Sequence, residues 1–220
     1  SGTATVTDTA GMHIDNFTIP TAVIDSQGTN HGTYSGPTLG VAGALSSDPD
    51  TAVQFDGSND YATVARQIAD DFSIEFWFKS TQGIGTDPGW TQGAGLVDAN
   101  VSGTNNDFGV SLRADGRVVA GVGGGGGDTS VVSSSSGHND GDWHHVVFTR
   151  TRSTGAFILY VDGVDVGTAT NNTAALTASP TLVFGRAAAG GNFYAGSLDE
   201  IAIYDTVMAP ATVAAHYSAR

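Results

Sequence analysis

The 220-residue sequence predicts an all-β fold, a two-sheet antiparallel sandwich that closes with a short C-terminal helix and takes up the chain as one domain. Three observations carry this. First, Trp143–Thr151 and residues 157–161 are β-branched and aromatic runs on either side of Arg152-Ser153-Thr154-Gly155, a hairpin rather than a helical pattern. Second, residues 72–79 alternate strictly, with Phe72, Ile74, Phe76 and Phe78 on one face. Third, the 31 glycines are about twice an average share and fall between short apolar runs without a triplet period, so they mark turns. Strands that are apolar on nearly every residue need cover on both faces, which requires stacked layers.

The elements follow in order. Residues 4–7 or 14–19 suit an edge strand. Asp25 to Thr33 holds Asp, Gly, Asn and Thr at short offsets with no apolar period, a structured loop. Its donors, the Asp25 carboxylate, the Asn30 amide and carbonyls such as that of Gly28, either cap turns or serve a hard cation. Residues 53–55 run into Asp56-Gly57 and return at 61–64, a hairpin signal. Residues 94–98, 107–113 and 117–122 read as strands, the last two joined through Ala114-Asp115-Gly116. The glycine run 123–127 lacks the Lys-Ser or Lys-Thr and the helix start that a phosphate loop needs, so it is a loop or a crossing without side chains. Asp162-Gly163 makes a second tight turn. Residues 193–205 form the closing strand, bent near Gly196, and Pro210 opens a helix over 211–219.

Composition narrows the function. Twenty-two acidic residues against eight basic ones leave a net charge of −14, so there is no basic groove for nucleic acid. No apolar run reaches membrane-spanning length. The absence of cysteine does not exclude secretion, because a core of this size needs no disulfides. The Ser-Gly start suggests a piece of a longer multidomain chain. His138, Asp140, Asp142, His144 and His145 crowd together, yet His144 and His145 are neighbours on a strand and point to opposite faces, which argues against a transition-metal centre.

Three blocks together resemble the laminin-G-like jelly rolls of the concanavalin A-like lectin/glucanase superfamily. They are Phe55-Asp56-Gly57-Ser58-Asn59-Asp60-Tyr61 with FSIEFWF from Phe72, Asp142-Trp143-His144-His145-Val146-Val147-Phe148 with Leu159-Tyr160-Val161-Asp162-Gly163, and Gly196-Ser197-Leu198-Asp199-Glu200-Ile201. The resemblance spans roughly residues 22–218. It implies a structural calcium held by Asp25, Asn30 and the Gly28 carbonyl, with Asp199 as a distant partner.

The expected function is a non-catalytic, calcium-stabilised carbohydrate-binding or adhesion module, extracellular or surface-displayed, meeting a glycan or cell-surface ligand. Trp90, in the Gly- and Pro-rich loop 81–93, is the first candidate platform for a sugar ring, followed by Trp77, Tyr61 and Tyr194. A purely structural or protein-interaction module, such as an adhesin repeat or virion decoration domain, is the alternative. A glycoside hydrolase or polysaccharide lyase is disfavoured: hydrolysis needs two carboxylates about 5–10 Å apart, whereas Glu75 stands alone on its strand and Glu200 adjoins Asp199 on opposite faces.

Overall fold

The structure, a computed structural model, describes residues 11–15, 22–46, 48–85, 89–103 and 105–220. The first strands are β1 (Gly11–Asp15), β2 (Ala22–Asp25), β3 (Gly32–Ser35), β4 (Thr38–Ala42), β5 (Thr51–Asp56) and β6 (Tyr61–Ala65). The middle of the chain forms β7 (Phe72–Lys79), β8 (Ala94–Asp98), β9 (Phe108–Leu112), β10 (Val118–Val122) and β11 (Thr129–Val132). Then follow β12 (Trp143–Thr151), β13 (Ala156–Val161), β14 (Val164–Thr170), β15 (Thr181–Phe184), β16 (Ala195–Tyr204) and the helix α1 (Pro210–Ser218).

These strands make a jelly-roll sandwich of two antiparallel sheets. One runs β4-β5-β16-β7-β12-β13-β14, the other β11-β10-β9-β8-β15-β6-β3-β2. β16 is long enough to pair β5 through Ala195–Leu198 and β1 through Ile201–Tyr204 on the same flank. β1 also pairs β2, which carries the ladder from one sheet to the other. Between the sheets lie Phe72, Ile74, Phe76 and Phe78 of β7 and Phe148 of β12, packed against Leu96, Phe108, Val110 and Leu112. Phe72 meets Phe108 at 4.9 Å and Phe148 at 5.5 Å between ring centres, so aromatic edges and faces interlock at the middle of the core. Phe76, Phe148 and Leu159 are fully buried and Ile201 nearly so, as the alternation predicts.

β7 is buried on both faces. Its outward side chains are covered by α1, by β5 and by the segment joining β4 to β5: Tyr217 stacks on Trp77 at 5.9 Å, and Ala44 and Ala52 pack in the same cluster. Val213 of α1 and Met208 just before it pack on Val147 and Tyr160. Pro210 sits in the first turn, where its missing N–H costs no helical hydrogen bond.

Two expectations change. Residues 53–64 are not a hairpin, because β5 belongs to the first sheet and β6 to the second. The Asp56 carboxylate accepts from the amides of Ser58 and Asn59, and Asp60 accepts from the Asp56 amide, so side chains shape an arch between layers. The N-terminal strand lies at Gly11–Asp15 and is no edge, since it pairs both β16 and β2; residues 4–7 and 16–19 fall outside the described residues.

Candidate recognition surface

The four predicted sugar-contacting aromatics scatter. Trp90 is 1 % exposed, not a surface platform. Its indole lies where Gly109 of β9 and Gly121 of β10 have no side chain: a Cβ on Gly121 would come within 1.9 Å of the ring, and one on Gly109 within 2.7 Å. Two mid-strand glycines thus create the slot that swallows it. Trp77 is buried beneath Tyr217, with the Arg220 guanidinium 5.4 Å from its ring centre. Tyr194 is buried in the core, where its hydroxyl donates to the Lys79 and Ser197 carbonyls.

Tyr61 alone of the four keeps a partly open ring. It begins β6 and points away from the core, since Ala62 and Val64 take the inward face. The Arg186 guanidinium stacks on it at 4.1 Å from the ring centre, and also lies 6.0 Å from the ring centre of half-buried Phe193. Arg186 Nε is buried without a hydrogen-bond partner among the described residues. Two aromatic rings and a guanidinium form a cation–π cluster.

The rim beside this cluster is organised by carboxylates that sequence patterns do not single out. Asp98, at the end of β8, is 2 % exposed and accepts from the Asn100 and Ala188 amides. Burial pushes its carboxyl up to about 7, and the charge of nearby Asp107 adds to this. Asp107, equally buried, accepts from the Val101 amide at 3.1 Å and the Asn100 side chain at 3.4 Å, and burial raises its pKa as well. Both carboxylates hold loops; at this depth they cannot flank a sugar bond. Gly123 and Gly124 of the glycine run pack tightly against Asp107 and Asn171, whereas Gly125, Gly126 and Gly127 have open space around their α-carbons. The Asn171 side chain donates to the Val122 and Gly127 carbonyls and ties the run to the end of β14.

The acidic donors sort differently from the expected calcium set. The Asp25 carboxylate accepts from the amides of Gln27, Gly28 and Asn30, and the Asn30 side chain donates to the Ala65 carbonyl, so this loop is closed by its own hydrogen bonds. Asp199 accepts from the Ala44 amide at 2.7 Å. Burial raises the Asp199 carboxyl to about 6, with Glu200 and Asp48 adding like charge. Beside it, one oxygen each from Asp48, Asp50 and Glu200 lies within 4.8 Å of the others. Glu200 reaches this position from a β-bulge in β16, at φ 49°. Hard oxygens at that spacing fit a calcium-type cation. The acidic group therefore joins β16 to the β4–β5 connection and does not include Asp25.

A family model described as the concanavalin A-like lectin/glucanases superfamily matches residues 56–214, and the chain belongs to that superfamily. Among solved structures it is similar to the binding domain of Paraclostridial Mosquitocidal Protein 1, with a TM-score of 0.69 and 16 % identity over 94 % of this chain and 51 % of that one. It is also similar to a structure titled for the dependence of botulinum neurotoxin type C cell entry on two ganglioside molecules, with a TM-score of 0.67 and 13 % identity over 95 % of this chain and 51 % of that one. A third is the binding domain of botulinum neurotoxin DC in complex with SialylT, with a TM-score of 0.67 and 12 % identity over 94 % of this chain and 50 % of that one. The chain spans about half the length of these solved chains, and at such identities the likeness is one of fold. No curated protein sequence matches it. No helix among the described residues is long and apolar enough to cross a membrane.

Proposed function

We propose that this is a non-catalytic recognition module of a secreted or surface-displayed protein, and that it binds glycans through the Tyr61–Arg186–Phe193 cluster. The single observation that carries the reading is the half-open Tyr61 ring with the Arg186 guanidinium stacked 4.1 Å from its centre. Apolar C–H faces of a pyranose stack on such rings, and an arginine beside them bonds hydroxyl or carboxylate oxygens. The fold neighbours include domains whose titles name gangliosides and SialylT, which agrees with a sugar ligand. Another is titled for a complex with rat synaptotagmin II, which keeps a protein partner as the second reading. The net charge of −14 favours neutral over polyanionic glycans. A non-catalytic role agrees with Glu75, which is buried beneath α1 and bonded to two histidines. Calcium at Asp48, Asp50 and Glu200 would tie the closing strand to the β4–β5 connection and so stabilise the module.

A glycan array followed by calorimetry tests this. Single sugars should bind at about millimolar strength, roughly 4 kcal/mol, so multivalent display is needed to see them. Tyr61→Ala and Arg186→Ala should each abolish binding while leaving the melting temperature nearly unchanged. If no glycan binds, the protein-interaction reading replaces this one.

A further inference from the structure

We propose that His138, His144 and Asp162 form a binding site for a zinc-like transition-metal ion. The three residues each bring one donor atom to a common point, all within 4.8 Å of one another. They come from separate elements: the loop before β12, the second residue of β12, and the tight turn after β13, where Asp162 takes a φ of 51°.

The second hydrogen-bonding atom of every member is committed outside the cluster, so the atoms that face the site are His138 Nε2 and the mutually bonded pair His144 Nδ1 and Asp162 Oδ2. His138 Nδ1 lies 2.9 Å from the Gly116 carbonyl, which can only accept, so Nδ1 carries the proton and Nε2 the lone pair. His144 Nε2 lies 3.2 Å from Asp140 Oδ1, and its Nδ1 lies 2.8 Å from Asp162 Oδ2. Asp162 Oδ1 accepts from the His145 amide at 2.9 Å, which leaves Oδ2 for the site. Each histidine thus donates its far N–H to a carbonyl or carboxylate, the outer arrangement that orients metal-binding imidazoles. The His138 and His144 rings stand nearly perpendicular, 85° apart with centres at 5.0 Å, so they approach one point from different sides.

In the metal-free protein a proton joins His144 Nδ1 to Asp162 Oδ2. A cation takes the place of that proton, which leaves to solvent, and the two atoms move apart to about 3.3 Å, as tetrahedral zinc with bonds near 2.0–2.2 Å requires. Two imidazoles and one carboxylate suit zinc or its neighbours better than calcium, which takes six to eight oxygens. Three protein donors leave a fourth position for water or for a donor from a bound ligand. His144 and His145 do point apart, as their adjacency on β12 demands; the second imidazole is His138, which the strand pattern alone cannot place.

The test uses the whole chain, stripped with chelator and titrated with zinc chloride alone. One zinc per chain should bind, with a chelator-reversible rise in melting temperature, and cobalt should give visible absorption of a tetrahedral site. His138→Ala should remove the zinc-dependent rise while melting like the wild type in chelator. Asp140→Asn, which removes the charge beside His144 Nε2 and keeps an amide oxygen for the Asp142 N–H, should weaken zinc by about 10–100-fold. His216→Ala should leave zinc binding unchanged. The proposal is overturned if wild type shows neither the rise nor the cobalt spectrum, if the rise survives His138→Ala, or if His216→Ala abolishes it.

Discussion

His216, in the last turn of α1, reaches Glu75 of β7 across 141 positions of sequence, with Nδ1 at 2.9 Å from Oε1 and 3.0 Å from Oε2. His145 joins the same carboxylate at 2.7 Å and the Tyr204 hydroxyl donates to it at 3.2 Å. Burial by itself pushes the Glu75 carboxyl up, but the hydrogen bonds from His145 and His216 outweigh it and lower its pKa to about 2. A carboxylate whose pKa is depressed on folding stabilises the fold fully above its ordinary value near 4.5, and that contribution disappears as the pH falls toward 2. The loss should approach about 3 kcal/mol. Glu75→Gln should flatten this acid limb, measured as unfolding free energy between pH 2 and 6. His216→Ala should raise hydrogen exchange across residues 210–218 first. An acid limb unchanged in Glu75→Gln would refute the assignment.

Asp98 behaves in the opposite sense. Its carboxyl, raised by burial to about 7 from an ordinary 3.8, holds its proton more tightly folded than unfolded. The fold is therefore penalised progressively as pH rises from about 4 to about 7, and the penalty is complete above that. Asp98→Asn cannot ionise and keeps an oxygen for the Asn100 amide. Its stability relative to wild type should climb through that window by roughly 2–4 kcal/mol. A difference that stays flat from pH 4 to 8 would show that Asp98 titrates normally.

Trp90 and Gly121 should prove energetically coupled. Trp90→Ala opens a cavity and should cost about 3–5 kcal/mol. Gly121→Ala drives a methyl into the indole and should be as damaging in wild type. In the Trp90→Ala background the same methyl enters the vacated slot, so the double variant should be less destabilised than the sum of the singles. Strict additivity in denaturant melts would mean that the ring and the glycine do not share the slot.

Calcium should raise the melting temperature of chelator-stripped protein, by mass action on the folded state alone. Asp50→Asn and Glu200→Gln should each remove most of that rise. Asp25→Asn should lower stability with and without calcium alike, because its carboxylate is bonded to the Gln27, Gly28 and Asn30 amides. A calcium response lost in Asp25→Asn but kept in Asp50→Asn would return the site to the Asp25 loop.

What could be read from the sequence was whatever depends on near neighbours. Alternation in β7, the continuous runs of β12 and β13, and Pro210 at the helix start are local signals, and each lies within a residue or two of its place. β3, β4 and β14 were less visible because short or edge strands rich in Thr, Gly and Asp bury little; β4 and β14 are edges, and Val164 of β14 is 63 % exposed. The arch at residues 56–60 uses turn chemistry that also suits a hairpin, and only the partner strands distinguish the two. The candidate sites were mostly illegible because they are assembled from distant parts of the chain. Trp90 reads as a loop platform until Gly109 and Gly121 are seen beneath it, although a lone glycine amid apolar residues in each strand was a usable sign of close approach. Asp48 and Asp50 meet Glu200 only because β5 and the closing strand pair.

The open stretch at Gly125, Gly126 and Gly127 has a consequence for how such a module diversifies. Its two ends are pinned, by the packing of Gly123 and Gly124 on one side and by the Asn171 bond to the Gly127 carbonyl on the other. Lengthening a pinned loop costs little, about 0.6 kcal/mol for each doubling. New side chains could be grafted between those anchors without disturbing β10 or β11. The rim offers an insertion point where the surface can be rewritten while the sandwich beneath stays the same.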